Sequence, residues 1–124
     1  MDTDPGAFFA ACPQAEPLYK TLLERMMEAL PPFELRMSRT QISFYNRYGF
    51  ACVSLPRRRL KEGQRAYLTV SFGLGRRDEH PRIAQIANPY PGRYTHHLEI
   101  TDASGIDAEL MAWLKEAYMF SALK

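Results

Sequence analysis

Three consecutive segments between residues 34 and 55 alternate apolar and polar residues with one shared parity, and this constrains the fold more than any single motif. Leu35 and Met37 alternate with Glu34, Arg36 and Ser38. Ile42 and Phe44 alternate with Gln41, Ser43 and Tyr45, and Ala51, Val53 and Leu55 with Phe50, Cys52 and Ser54. A period of two is the signature of strands with one buried and one wet face. If Arg39-Thr40 is a two-residue turn, Met37 lies opposite Ile42 and Leu35 opposite Phe44. A second turn at Arg47-Tyr48 sets Phe44 opposite Ala51 and Ile42 opposite Val53, so the apolar face stays in register. Asn46 and Gly49 also suit a four-residue loop at that second turn.

The alternation resumes further on. A fourth strand, Ala66 to Phe72, directs Leu68, Val70 and Phe72 inward and Tyr67, Thr69 and Ser71 outward. The last strand, Tyr94 to Ile100, directs Leu98 and Ile100 inward and Thr95, His97 and Glu99 outward. Between them Pro81 to Ala87 reads as a short helix, since proline suits a first helical position. Asn88-Pro89-Tyr90-Pro91-Gly92 breaks it.

Both ends switch to helical spacing. Leu18, Leu22, Met26 and Leu30 recur every four residues, with Tyr19, Leu23 and Met27 widening the stripe, until Pro31-Pro32 stops the helix. Phe8 and Phe9 form a packed lead-in. Ile106, Leu110, Trp113, Leu114 and Ala117 repeat the pattern after Ser104-Gly105-Ile106-Asp107, a capping-box-like start, and Phe120 extends it. The expectation is an α+β fold: an antiparallel sheet of about five strands with the N- and C-terminal helices on one face, and a short extra helix before the last strand. Residues 1–124 suit one domain.

These residues resemble a bacterial domain family without an assigned function, the domain of unknown function numbered 5655 (DUF5655). The likeness rests on Phe8-Phe9, Leu18-Tyr19, the run from Arg36 to Phe44, Gly49-Phe50-Ala51 and Leu55-Pro56. It continues through Phe72-Gly73-Leu74, Arg82-Ile83, the segment YPGRYTHHLEI from Tyr90 to Ile100, Trp113-Leu114 and Ala117-Tyr118. The resemblance implies a compact α+β module, found alone or attached to other domains, and brings no catalytic residues with it.

Charge points to a partner class. The formal net charge is +2, yet twelve of the sixteen Lys/Arg fall between residues 35 and 97, where Glu62, Asp78 and Glu79 are the only acidic residues, while both ends are acidic. Such segregation favours an anionic or polar partner. In a meander, alternate loops lie at opposite ends of the sheet. Arg39, Arg57, Arg58, Arg59, Lys61 and Arg65 should then gather at one pole, and Arg47, Arg76, Arg77, Arg82 and Arg93 at the other. Two poles make a continuous nucleic-acid stripe the less favoured expectation.

Other classes find little support. The acidic start Met1-Asp2-Thr3-Asp4-Pro5 is unlike a secretory signal, and no stretch approaches a membrane span, so a cytoplasmic location without a membrane partner is expected. Cys12 and Cys52 lie far apart without metal-ligand spacing, and no zinc module or disulfide framework is signalled. No metal or other cofactor is called for. Gly73-Leu74-Gly75-Arg76-Arg77 lacks the remaining parts of a phosphate-binding loop, and no nucleophile elbow is present.

The candidate site is the open sheet face with its arginine rim. Arg36, Gln41, Ser43, Tyr45, Tyr67, Thr69, Arg76, Arg93, Thr95 and His97 are the candidate ligand-binding residues. His96 and His97 point to opposite faces and cannot readily share a metal; His96 reads as a satisfied core histidine. The first reading is a non-enzymatic binding module. The second is a small enzyme using His97 as a proton carrier, with Glu99 orienting its imidazole and Arg36 or Arg93 holding an anionic substrate. The third is a homodimer closing Phe50 and Tyr45 against their symmetry mates.

Overall fold

The structure is a computed structural model that describes residues 8–55 and 68–123. The basic run Pro56 to Lys61, Arg65 and the candidate Tyr67 lie outside those residues.

Among the described residues six antiparallel strands form one sheet: β1 (Glu34–Met37), β2 (Ile42–Tyr45), β3 (Gly49–Ser54), β4 (Leu68–Leu74), β5 (Ile83–Tyr90) and β6 (Arg93–Ile100). Their order is β1-β2-β3-β4-β6-β5, so β6 slots between β4 and β5. The parity argument holds. Leu35 pairs with Phe44 and Met37 with Ile42, then Phe44 with Ala51 and Ile42 with Val53. Leu35 nevertheless stays half exposed, because β1 is an edge strand.

Two helices cover one face. In α1 (Ala15–Ala29), Ala15, Leu18, Tyr19, Leu22 and Met26 are buried, whereas Met27 falls outside the stripe and is exposed. Leu30 donates its N–H to the Met26 carbonyl (2.9 Å) before Pro31 ends the helix. In α2 (Ala108–Ala122), the Asp107 side chain accepts the Leu110 N–H as N-cap, and Leu110, Trp113, Leu114 and Ala117 are buried. The α2 helix packs on β3 and β4, and α1 packs on α2 and β4. Among the described residues no helix is long and apolar enough to cross a membrane.

Two expectations about the sheet fail, for local reasons. The segment expected as a short helix from Pro81 to Ala87 is a turn followed by β5, which raises the strand count from five to six. Pro81 follows His80 in a turn closed by the Ile83 N–H on the His80 carbonyl (2.9 Å), a position that also accepts proline. Pro91-Gly92 then links β5 to β6, with Gly92 at φ +85° and Tyr90 paired to Arg93. Pro89 is tolerated because β5 is an edge strand and its register shifts between Ala87 and Tyr90.

The second failure is Phe50, expected on the open face. Tyr45 pairs with Gly49 while Phe44 pairs with Ala51, which leaves Phe50 as the extra residue of a bulge. Its ring turns into the core against Phe33, Phe44 and Tyr118 and is fully buried. The Phe50 ring is therefore not exposed to a symmetry mate.

Candidate functional site

The strand register assembles one polar residue from each of the six strands into a single row on the uncovered face. Arg36 pairs with Ser43, Ser43 with Cys52, Cys52 with Ser71, Ser71 with His97, and His97 with Gln85. Ser54, Thr69 and Glu99 form the next row toward one end of the strands, and Gly73 and Thr95 lie toward the other. Arg36, Gln41, Ser43, Tyr45, Thr69, Arg93, Thr95, His97 and Glu99 thus share this face or its rim. Gln85 and Ser71 join them, the first invisible to sequence reasoning because Pro81 to Ala87 suits a short helix as well as a strand.

Hydrogen bonds fix the floor. The Ser71 hydroxyl and His97 Nδ1 lie 2.7 Å apart, and Gln41 Nε2 donates to the Ser43 hydroxyl at 2.9 Å. Burial pushes the His97 pKa below the usual imidazole value, so the ring is neutral near pH 7. Ser71 donates to Nδ1 when the ring proton sits on Nε2, and accepts from it in the other tautomer. The partner of His97 is thus Ser71 and not Glu99, whose carboxylate has no hydrogen-bond or ion-pair partner among the described residues. Burial also pushes the Cys52 thiol upward. A hydrogen bond to Ser71 and the charge of Arg93 oppose that shift without reversing it.

Gly73 opens the floor next to Thr95, and the Arg93 guanidinium fills the opening. A Cβ at residue 73 would stand 2.6 Å from the guanidinium carbon of Arg93. Arg93 lines a pocket of about 170 Å³ whose walls include Tyr45, Gly49, Cys52, Ser71 and Thr95. The pocket shares Gln41, Cys52, Ser71 and Thr95 with a larger groove of about 540 Å³, which runs past Ser54, Thr69, His97 and Glu99. The Arg36 guanidinium lies over the Tyr45 ring at 4.0 Å and 3.7 Å from Glu34 at the rim.

Arg76, by contrast, is drawn to the helix-covered side. It grips Glu116 of α2 through two 2.8 Å hydrogen bonds and reaches Asp78 at 3.2 Å. Arg82 binds Asp107 and Glu109, and Arg77 binds Glu79. The acidic C-terminal segment thus neutralises two arginines of the basic middle, Arg76 and Arg82. Arg93 has no ion-pair partner among the described residues.

His96 is fully buried and stacked on Phe72 at 5.4 Å. Its Nε2 accepts the Asp78 N–H (2.9 Å) and its Nδ1 meets the Tyr94 carbonyl (3.1 Å), which requires the neutral Nδ1-protonated ring. No group of three or more His, Cys, Asp or Glu among the described residues is placed to hold a metal ion.

Fold and site together define a two-layer α+β module with helices on one side and a polar groove on the other. Residues 7–121 match the family described as Domain of unknown function (DUF5655), and the chain belongs to that family. Comparisons with curated proteins and with solved structures gave no match.

Proposed function

We propose that the protein is a binding module that takes a small anionic ligand on its open sheet face, with Arg93 as the anchor for the anion. The observation that carries this reading is the position of Arg93: a guanidinium without an ion-pair partner beside a pocket floored by Ser71 and Cys52, while Arg76, Arg77 and Arg82 are neutralised by carboxylates. Guanidinium binds carboxylate or phosphate through paired hydrogen bonds. Gln41, Ser43 and Thr95 supply further polar groups within the same pocket. The ion pairs of Arg76, Arg77 and Arg82 take three cations out of any run that an extended nucleic-acid surface would need.

Calorimetric or NMR titration with small carboxylates and inorganic phosphate tests this reading. Binding should weaken with salt, perturb the amides of Ser71, Gly73 and Thr95, and fall by about tenfold or more in Arg93→Gln. Equal binding by wild type and Arg93→Gln would refute it.

The 2.7 Å contact between Ser71 and His97 favours one second reading, in which a neutral imidazole takes a proton from the serine hydroxyl or from a bound ligand. Labelling of Ser71 by a fluorophosphonate, lost in His97→Gln, would support catalysis. An unlabelled Ser71 would end it.

A further inference from the structure

The groove is polar in a second sense: its two ends carry opposite charge. Arg93, Thr95, His97 and Glu99 are alternate residues of β6, so one strand presents a guanidinium, a hydroxyl, an imidazole and a carboxylate in line. Gln41, Cys52, Ser71 and Thr95 border both the pocket beside Arg93 and the groove beside Glu99, which makes the two spaces continuous. Neither terminal charge has an ion-pair partner among the described residues. Between them stand only uncharged groups at neutral pH, because burial keeps His97 neutral and Cys52 protonated.

A simple anion uses the Arg93 end and meets repulsion from Glu99 at the other. A cation does the reverse. A ligand carrying an anion at one end and a cation at the other satisfies both, and its body lies against hydrogen-bonding groups from β3, β4 and β6. The Arg93 guanidinium lies over Gly73, which pairs with Thr95. From Thr95 to Glu99 the strand advances by roughly 13 Å, and this sets the separation of the ligand's two charges.

We infer that the groove selects an elongated amphoteric small molecule, with its carboxylate at Arg93 and its amine at Glu99. This rests on the proposed anion site and deepens it by adding the second charge and the spacing.

The test uses the full chain and unbranched ω-amino carboxylates from aminobutyrate to aminoundecanoate, each compared with the alkyl carboxylate of equal length, by NMR titration. The longer members, aminooctanoate to aminoundecanoate, should bind about fivefold more tightly than their amine-free counterparts, the gain expected of one exposed ion pair. Glu99→Gln should abolish that gain and bring each amphoteric member to the affinity of its amine-free counterpart, while Arg93→Gln should weaken both series. Glu99 is exposed, so its variant is expected to fold. Equal affinity of paired amphoteric and simple carboxylates, with no effect of Glu99→Gln, overturns the amphoteric inference alone. If no carboxylate binds wild type, the anion site itself fails and takes the inference with it.

Discussion

Arg93 occupies the space that a side chain at Gly73 would need: a Cβ there would stand 2.6 Å from both its guanidinium carbon and Nη2. The obstruction is the far end of a flexible side chain and not backbone, so Gly73→Ala should fold with little change in stability while displacing the guanidinium from the pocket. Ligand affinity should drop nearly as far as in Arg93→Gln. Full affinity in Gly73→Ala would show that the guanidinium works from another position.

The two adjacent histidines should titrate below the usual imidazole range. Burial lowers both pKa values, and protonation of His96 would also sever the bond its Nε2 accepts from the Asp78 N–H. An imidazole with a depressed folded pKa gains its proton first in the unfolded chain, so this contribution to stability is complete well above pH about 6.5 and declines as pH falls below it. Thermal melts should show the decline between neutral pH and the carboxylate range. Titration of either ring at or above the ordinary value by NMR contradicts the assignment.

Asp78 ties the β4–β5 connection to α2. It accepts the Trp113 indole N–H at 2.9 Å, the His80 N–H at 3.1 Å and the Arg76 ion pair. The Trp113 bond leads the causes that hold its carboxyl below the usual pKa, and the backbone and Arg76 bonds add to it. A depressed carboxyl contributes stability above its unfolded pKa that disappears as pH falls through the folded value. Asp78→Ala should cost about 1–3 kcal/mol in urea denaturation at neutral pH, and less in strong acid. An equal cost at both pH values would remove the charge from the account.

The alternation of Leu35, Met37, Ile42, Phe44, Ala51 and Val53 was legible because cross-strand parity is a local property of short hairpins. The open-face position of Thr69, Thr95, His97 and Glu99 followed from the same rule. The β5 strand was not legible: Pro81 suits a helix start or a turn, and the decision falls to pairing with β6. Phe50 escaped because one bulge opposite Tyr45 reverses the face of a single residue. The two rim arginines, Arg76 and Arg93, look alike in sequence. Only the folded chain brings Glu116 and Asp78 to the first and leaves the second beside Gly73.

Titration of a small carboxylate into wild type and Arg93→Gln, followed through the amides of Ser71, Gly73 and Thr95, tests the central claim most directly. Saturable shifts centred on those three residues in wild type, weakened about tenfold or more in the variant, are the predicted result. Shifts of equal size and affinity in both proteins, or shifts gathered around Arg76 and Arg82, would contradict an anion site at Arg93.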